Sequence, residues 1–155
     1  MCDCHDEEHE CCCFEDPVLQ FHLSAGAKLE APREGDAGFD LRTLEDIVIQ
    51  PHEQIAVPTG LRVAIPEGWV GIVKDRSSMA KNRIYTHAGV IDAAYRGEVK
   101  ILLSNDGNEP YTLAKGDKVA QMIVIPCITG CEQVETEEDL GATERGEGGF
   151  GSTGK

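Results

Sequence analysis

Arg76, Ser77 and Ser78 stand together in the run KDRSSMA, at the start of a short stretch with helical character. A guanidinium, two hydroxyls and the amides of a helix start can face one anion, and phosphate is the natural ligand for that set. The same residues would serve equally as a helix cap with a surface Arg. In THAGVIDAAYRGE, Asp92 follows the apolar pair Val90 and Ile91, Tyr95 comes three residues later, and Arg96 and Gly97 close the turn. A carboxylate on the rim of a β-hairpin is placed to orient a water, although Asp is also an ordinary turn former. Asp40 in AGFDL and Gln121 in GDKVAQMIV each interrupt an apolar stretch, and single polar groups of this kind also occur as satisfied structural residues. The run RGEGGFGSTGK, from Arg145 to Lys155, holds five glycines, two hydroxyls, two cations and one aromatic. It suits a segment that wraps a polyphosphate when one is present, and reads otherwise as a polar tail. Gly149, Gly154 and Lys155 have P-loop spacing, but the helix that a P-loop requires does not follow.

Composition limits what these residues can meet. Among 155 residues there are 28 acidic and 14 basic side chains, a net charge of -14, so non-specific binding to nucleic acid or to an anionic membrane is disfavoured. Any anionic ligand must be met by locally placed cations. The length suits one domain with a substantial core. Residues 1–16 carry seven of the acidic groups and no Lys or Arg, and are expected to be a disordered leader. That leader holds five of the seven cysteines together with His5 and His9, a set that could bind a soft metal but whose spacing matches no standard zinc motif. An odd cysteine count, no signal-peptide core and no long apolar run point to a soluble intracellular protein with reduced thiols, cytoplasmic or, in a eukaryote, nuclear.

The elements that must position the chemistry are strands. Leu61, Val63 and Ile65 interleave with Arg62 and Ala64, and Val70, Ile72 and Lys74 interleave with Gly71 and Val73, a period of two. EDIVI, EQIAV, EVKILL and KVAQMIVI are further runs of this type, separated by turn formers such as PTG, PEG, NDGNEP and KGD. The expected fold is all-β, a jelly roll or distorted β-barrel with one short helix near Ser77 to Asn82 that a Ser would cap. The domain is expected over residues 17–140. The acidic, glycine-rich stretch after the last strand reads as a mobile arm leading into a flexible lid over residues 141–155.

Taken together and in order, AGFDL, DRSSMA, AGVIDAAYRGEV, GDKVAQMI and RGEGGFGSTG resemble the five motifs of the trimeric deoxyuridine triphosphatase (dUTPase) family. The resemblance runs from about residue 18 to residue 155. It implies hydrolysis of dUTP to dUMP and pyrophosphate by a homotrimer with shared active sites and Mg2+ carried mainly by the triphosphate. By this resemblance Asp92 positions the attacking water, Tyr95 lies against the sugar and excludes a 2′-hydroxyl, and the hairpin Thr86 to Ile91, with Gly89 and Val90, reads uracil. Arg76, Ser77, Ser78 and Gln121 are implied phosphate contacts. Lys100 borders the sugar, and Asp40 supports the metal's waters. The C-terminus is implied to be the lid: Phe150 stacks on the base, while Arg145, Gly151, Ser152 and Thr153 contact the substrate, chiefly its outer phosphates.

Four positions depart from the family pattern. Phe39 replaces the usual Tyr, Ser78 the usual Gly of Arg-Ser-Gly, Ala94 a common Asp, and His87 a smaller residue in the hairpin; the last bears on base selectivity. The related dCTP deaminases share the Arg-Ser-Ser start, but their proton-shuttling Glu, three residues before an Asn, corresponds to Leu102 here. A non-catalytic nucleotide sensor or interaction module would not need the water-positioning Asp92.

Overall fold

The computed structural model describes residues 17–144; the cysteine-rich leader and the segment with Arg145, Phe150, Gly151, Ser152 and Thr153 lie outside the described residues. In chain order the strands are β1 (Gln20–Leu23), β2 (Phe39–Arg42), β3 (Ile47–Ile49), β4 (Gln54–Val57), β5 (Leu61–Ala64) and β6 (Trp69–Asp75). Among the described residues a single α-helix, α1 (Ser77–Lys81), precedes β7 (Ile84–His87), β8 (Val90–Ile91), β9 (Ile101–Asn105), β10 (Tyr111–Leu113) and β11 (Lys118–Pro126). All pairings are antiparallel, and the strands form a four-stranded sheet β2-β11-β6-β8, a three-stranded sheet β4-β9-β7, and the pairs β1-β5 and β3-β10. The protein is an all-β jelly roll, with one short helix among the described residues, in keeping with the alternation of the sequence. Among the described residues no helix is long and apolar enough to cross a membrane.

The inner faces meet around Leu41, Ile49, Val57, Leu61, Leu103 and Met122, all essentially inaccessible to solvent. β5 follows its sequence pattern, with Leu61 and Val63 buried and Arg62 exposed. In β6 the more deeply buried residues are Gly71 and Val73, while Val70 and Ile72 are half-buried. The reason is volume. A Cβ at Gly71 would stand 2.8 Å from Cδ1 of Ile65 and 3.2 Å from Cβ of Ile91, so those two side chains fill the space that a larger residue would claim. This packing draws β8 against β6, with Gly71 opposite Ile91.

Two local expectations change. The N-cap of α1 is Arg76, in an extended conformation and without a side-chain cap, so Ser77 and Ser78 are the first helical residues. The acidic stretch after β11 contains a 3-10 turn, Glu137–Leu140, in which Thr136 and Asp139 form a reciprocal capping box.

Candidate active site

The residues singled out from the sequence gather at two cavities. The first, about 670 Å³, is lined by Gly38, Asp40, Lys74, Arg76, Ser77, Lys118 and Gln121 among others. Three adjacent strands build its floor, because Gln121 on β11 is paired with Asp40 on β2 and with Lys74 on β6. Lys118 and Gln121 are three residues apart, a spacing that would place them on opposite faces of a regular strand. A register shift between Lys118 and Ala120, opposite Arg42 and Leu41, breaks the alternation. The bulge turns both side chains toward the same cavity.

This cavity carries a small positive excess on a strongly acidic chain, with Glu30, Asp36 and Asp40 lining it beside four cations. Arg33, Lys74, Arg76 and Lys118 all line it, and Asp40 is clamped between Arg76 (Nε to Oδ1, 3.2 Å) and Lys118 (Nζ to Oδ2, 2.5 Å). These pairs are about 30% exposed, so each orients its partners more than it stabilises the fold. Gln121 donates from Nε2 to the Asp75 carbonyl at 3.1 Å, which leaves its amide oxygen free to accept. Ser77 faces the cavity, whereas Ser78 lines a neighbouring depression with Arg42 and Tyr111; successive helical residues diverge by about 100°.

The second cavity, about 580 Å³, is lined by His87, Gly89, Val90, Ile91, Asp92, Tyr95, Lys100 and Leu102 among others. Sequence spacing suggests a hairpin here, but β7 pairs with β9 and β8 pairs with β6, so the chain crosses between two sheets at Ala88 and Gly89. Both residues have positive φ, 57° and 96°. The Gly89 carbonyl accepts from the Val73 amide (2.8 Å), and the Thr86 amide donates to Asp75 Oδ1 (2.6 Å). Thr86 itself is not among the lining residues. The strands β7 and β8 part here, so their facing edges do not pair with each other.

Beyond β8 a turn closes with the Tyr95 amide bonded to the Asp92 carbonyl at 3.0 Å. Arg96 donates to the carbonyls of Ala93 and Tyr95, Arg62 donates to the Arg96 carbonyl, and the Tyr95 hydroxyl donates to that of Glu98 at 2.9 Å. The Asp92 carboxylate and the Tyr95 ring are thus presented by a loop stapled at five carbonyls. Both residues are exposed.

The two cavities share no lining residue. Arg76 follows the last residue of β6, while Asp92 follows Ile91, which sits opposite Gly71 near the other end of that strand. Five residues of extended chain separate these levels, roughly 16 Å. No local pattern in the sequence marks Lys118, Lys74 and Arg33 as members of the cavity, nor the polar chain that joins His87 to Ser104 and Asp106. The odd spacing of Lys118 and Gln121 hides their common direction, since a bulge leaves no mark on composition.

The same fold and motifs recur in known proteins. The family model described as dUTPase matches residues 26–154. A deoxyuridine 5′-triphosphate nucleotidohydrolase of an Anaeromyxobacter species is 43% identical over 136 residues, covering 84% of this chain and 91% of that protein. The structure of a mutant Staphylococcus bacteriophage 80alpha dUTPase with dUpNHpp superposes with a TM-score of 0.80 at 31% identity, over 89% of this chain and 99% of that one. A mutant dUTPase from phage phi11 of S. aureus, whose structure reveals how a structural Mg(II) ion is coordinated, gives a TM-score of 0.72 at 30% identity over 78% and 99%. With five ordered motifs on a jelly roll and a family match across nearly all of the described residues, the chain belongs to the dUTPase family.

Proposed function

We propose that the protein hydrolyses dUTP to dUMP and pyrophosphate at sites assembled between subunits of a homotrimer. One observation carries the shared site: the phosphate-binding cavity and the water-orienting Asp92 lie at opposite ends of β6 in a single chain. An attacking water must stand about 3 to 3.5 Å from the phosphorus while touching its base. A separation of roughly 16 Å is incompatible with both groups of one chain serving the same phosphorus. The cationic cavity of one subunit facing the Asp92 loop of another satisfies both demands.

In this arrangement the corner at Ala88 and Gly89 receives the base and Tyr95 packs on the sugar, where a 2′-hydroxyl would collide with the ring. Arg76, Ser77, Gln121 and Lys118 hold the triphosphate, with Ser78 at the edge of that set and Lys100 beside the sugar. Asp92 accepts a proton from the water whose oxygen attacks the α-phosphorus. The bond to the bridging oxygen breaks and pyrophosphate leaves, its charge met by the cations of the cavity. The lid residues Arg145, Phe150, Gly151, Ser152 and Thr153 close over the bound nucleotide and exclude bulk water.

The donor set also fits a magnesium ion carried by the substrate. Among the described residues no three His, Cys, Asp or Glu side chains cluster to hold a metal, and magnesium is commonly held by phosphate oxygens and waters with few protein ligands. Asp40 retains a second lone pair on each oxygen beyond its contacts to Arg76 and Lys118, enough to hold a metal-bound water. When bound, the ion neutralises charge on the phosphoryl oxygens.

Mixed trimers test the reading. Asp92→Asn and Arg76→Ala subunits are each expected to lose at least about 100-fold in turnover. Co-refolding the two is expected to restore activity, because some interfaces then contain a wild-type half from each variant. No recovery in verified mixed trimers would refute the shared site.

A further inference from the structure

His87 lines the cavity assigned above to the base, and its Nε2 lies 2.8 Å from the hydroxyl of Ser104. Ser104, only 8% exposed, donates in turn to Oδ1 of Asp106 at 2.8 Å. The register explains the meeting. β7 pairs with β9 so that His87 faces Leu102 and Tyr85 faces Ser104, which makes His87 and Ser104 diagonal neighbours on one face.

Proton counting fixes the ring. The Asp106 carboxylate can only accept, so Ser104 spends its one hydrogen there, and its oxygen must accept from His87. The imidazole therefore carries a hydrogen on Nε2 and has Nδ1 as its remaining polar atom. A neutral ring offers a lone pair at that atom, and a protonated ring offers an N–H donor with positive charge.

The other charged groups facing the cavity are Arg62 from β5, Asp92 after β8, and Glu98 and Lys100 before β9, two cations against two carboxylates. Of these, Arg62 and Glu98 are bonded to backbone groups at Arg96 and Gly60. Asp75, packed against β7 from β6, is held by the Thr86 amide. Asp106 is the carboxylate linked to the imidazole by hydrogen bonds among the described residues.

We propose that His87 is a binding contact of the base pocket, an imidazole oriented by Ser104 and Asp106 whose protonation strengthens nucleotide binding. This rests on the assignment of the cavity to the base. The sign follows from the ligand: uracil presents two carbonyl acceptors and one N–H, and the nucleotide is an anion, so a charged donor is the better partner.

The test is the affinity of the non-hydrolysed analogue dUpNHpp, measured by calorimetry between about pH 5.5 and 8.5, the range that brackets an ordinary imidazole. Wild type, His87→Gln and Asp106→Asn are compared, with dUTP turnover followed in parallel. Gln keeps a donor for Ser104 but does not titrate. The ratio of the His87→Gln dissociation constant to that of wild type is expected to rise about fivefold as pH falls, and Asp106→Asn, which no longer fixes the Ser104 hydrogen, is expected to shrink the wild-type gain. Titration of the ligand's own phosphates is common to all three proteins and cancels in the ratio. A flat ratio with intact turnover would overturn this inference alone. A pH-dependent ratio without turnover would leave it standing and count against the hydrolase reading.

Discussion

The ring of Tyr95 lies folded over Gly97: a Cβ built at Gly97 would stand 2.3 Å from the Tyr95 hydroxyl and 2.4 Å from Cζ. Gly97 is therefore a positioning residue. It keeps the ring where the hydroxyl reaches the Glu98 carbonyl.

Replacing Gly97 by Ala is expected to displace the ring and relax sugar discrimination. The ratio of kcat/KM for dUTP over UTP should fall about tenfold or more, the effect of losing roughly 1.4 kcal/mol of differential contact. Tyr95 is exposed, so thermal stability should change by less than about 1 kcal/mol. Parallel kinetics on the two nucleotides check this, and an unchanged ratio would remove Tyr95 from the sugar.

Asp40 holds Arg76 and Lys118 in one cluster. A double-mutant cycle with Asp40→Asn and Lys118→Met should give a coupling of only about 0.5 to 1 kcal/mol in folding stability, since the pair is part-exposed. Its effect on the substrate should be larger. Lys118→Met is expected to raise KM for dUTP about tenfold and to flatten its salt dependence, because a phosphate-facing cation is lost.

The corner that crosses between sheets permits a paired test of backbone strain. Gly89 has φ 96°, and a Cβ there would meet the Val73 carbonyl oxygen at 3.0 Å. Gly89→Ala is expected to destabilise by about 2 to 3 kcal/mol. Ala88 holds φ 57° with a side chain present, so Ala88→Gly should be neutral or stabilising by up to about 1 kcal/mol. Urea denaturation of the two variants reads both signs.

Asn105 is 1% exposed and donates to the carbonyls of Ile49 and Glu109 while accepting from the Gly107 amide. Asn105→Leu removes all three side-chain bonds to these backbone groups. A loss of about 2 to 4 kcal/mol is expected, seen as a lower urea midpoint.

The positions of most strands, the short helix and the motif residues were legible in the sequence, because alternation and turn formers are local properties of the chain. Asp92, Tyr95, Gln121, Asp40 and Arg76 could be singled out for the same reason: each is a polar side chain whose type suits a chemical task. Lys118 escaped assignment, since its direction depends on a bulge measured against β2. His87 drew notice as an unusual pocket residue, but its link to Ser104 and Asp106 spans a strand pairing that no local pattern records.

The sequence by itself determined an all-β chain, the chemistry of its motifs and the family to which they point. Tertiary structure decided which face of β6 turns inward, that the expected hairpin is a crossing between two sheets, and that the two groups of candidate residues sit at opposite ends of one strand. The division has a physical cause. Periodicity and residue type act over a few neighbouring residues, whereas register, bulges and packing volume are settled only when strands distant in sequence meet.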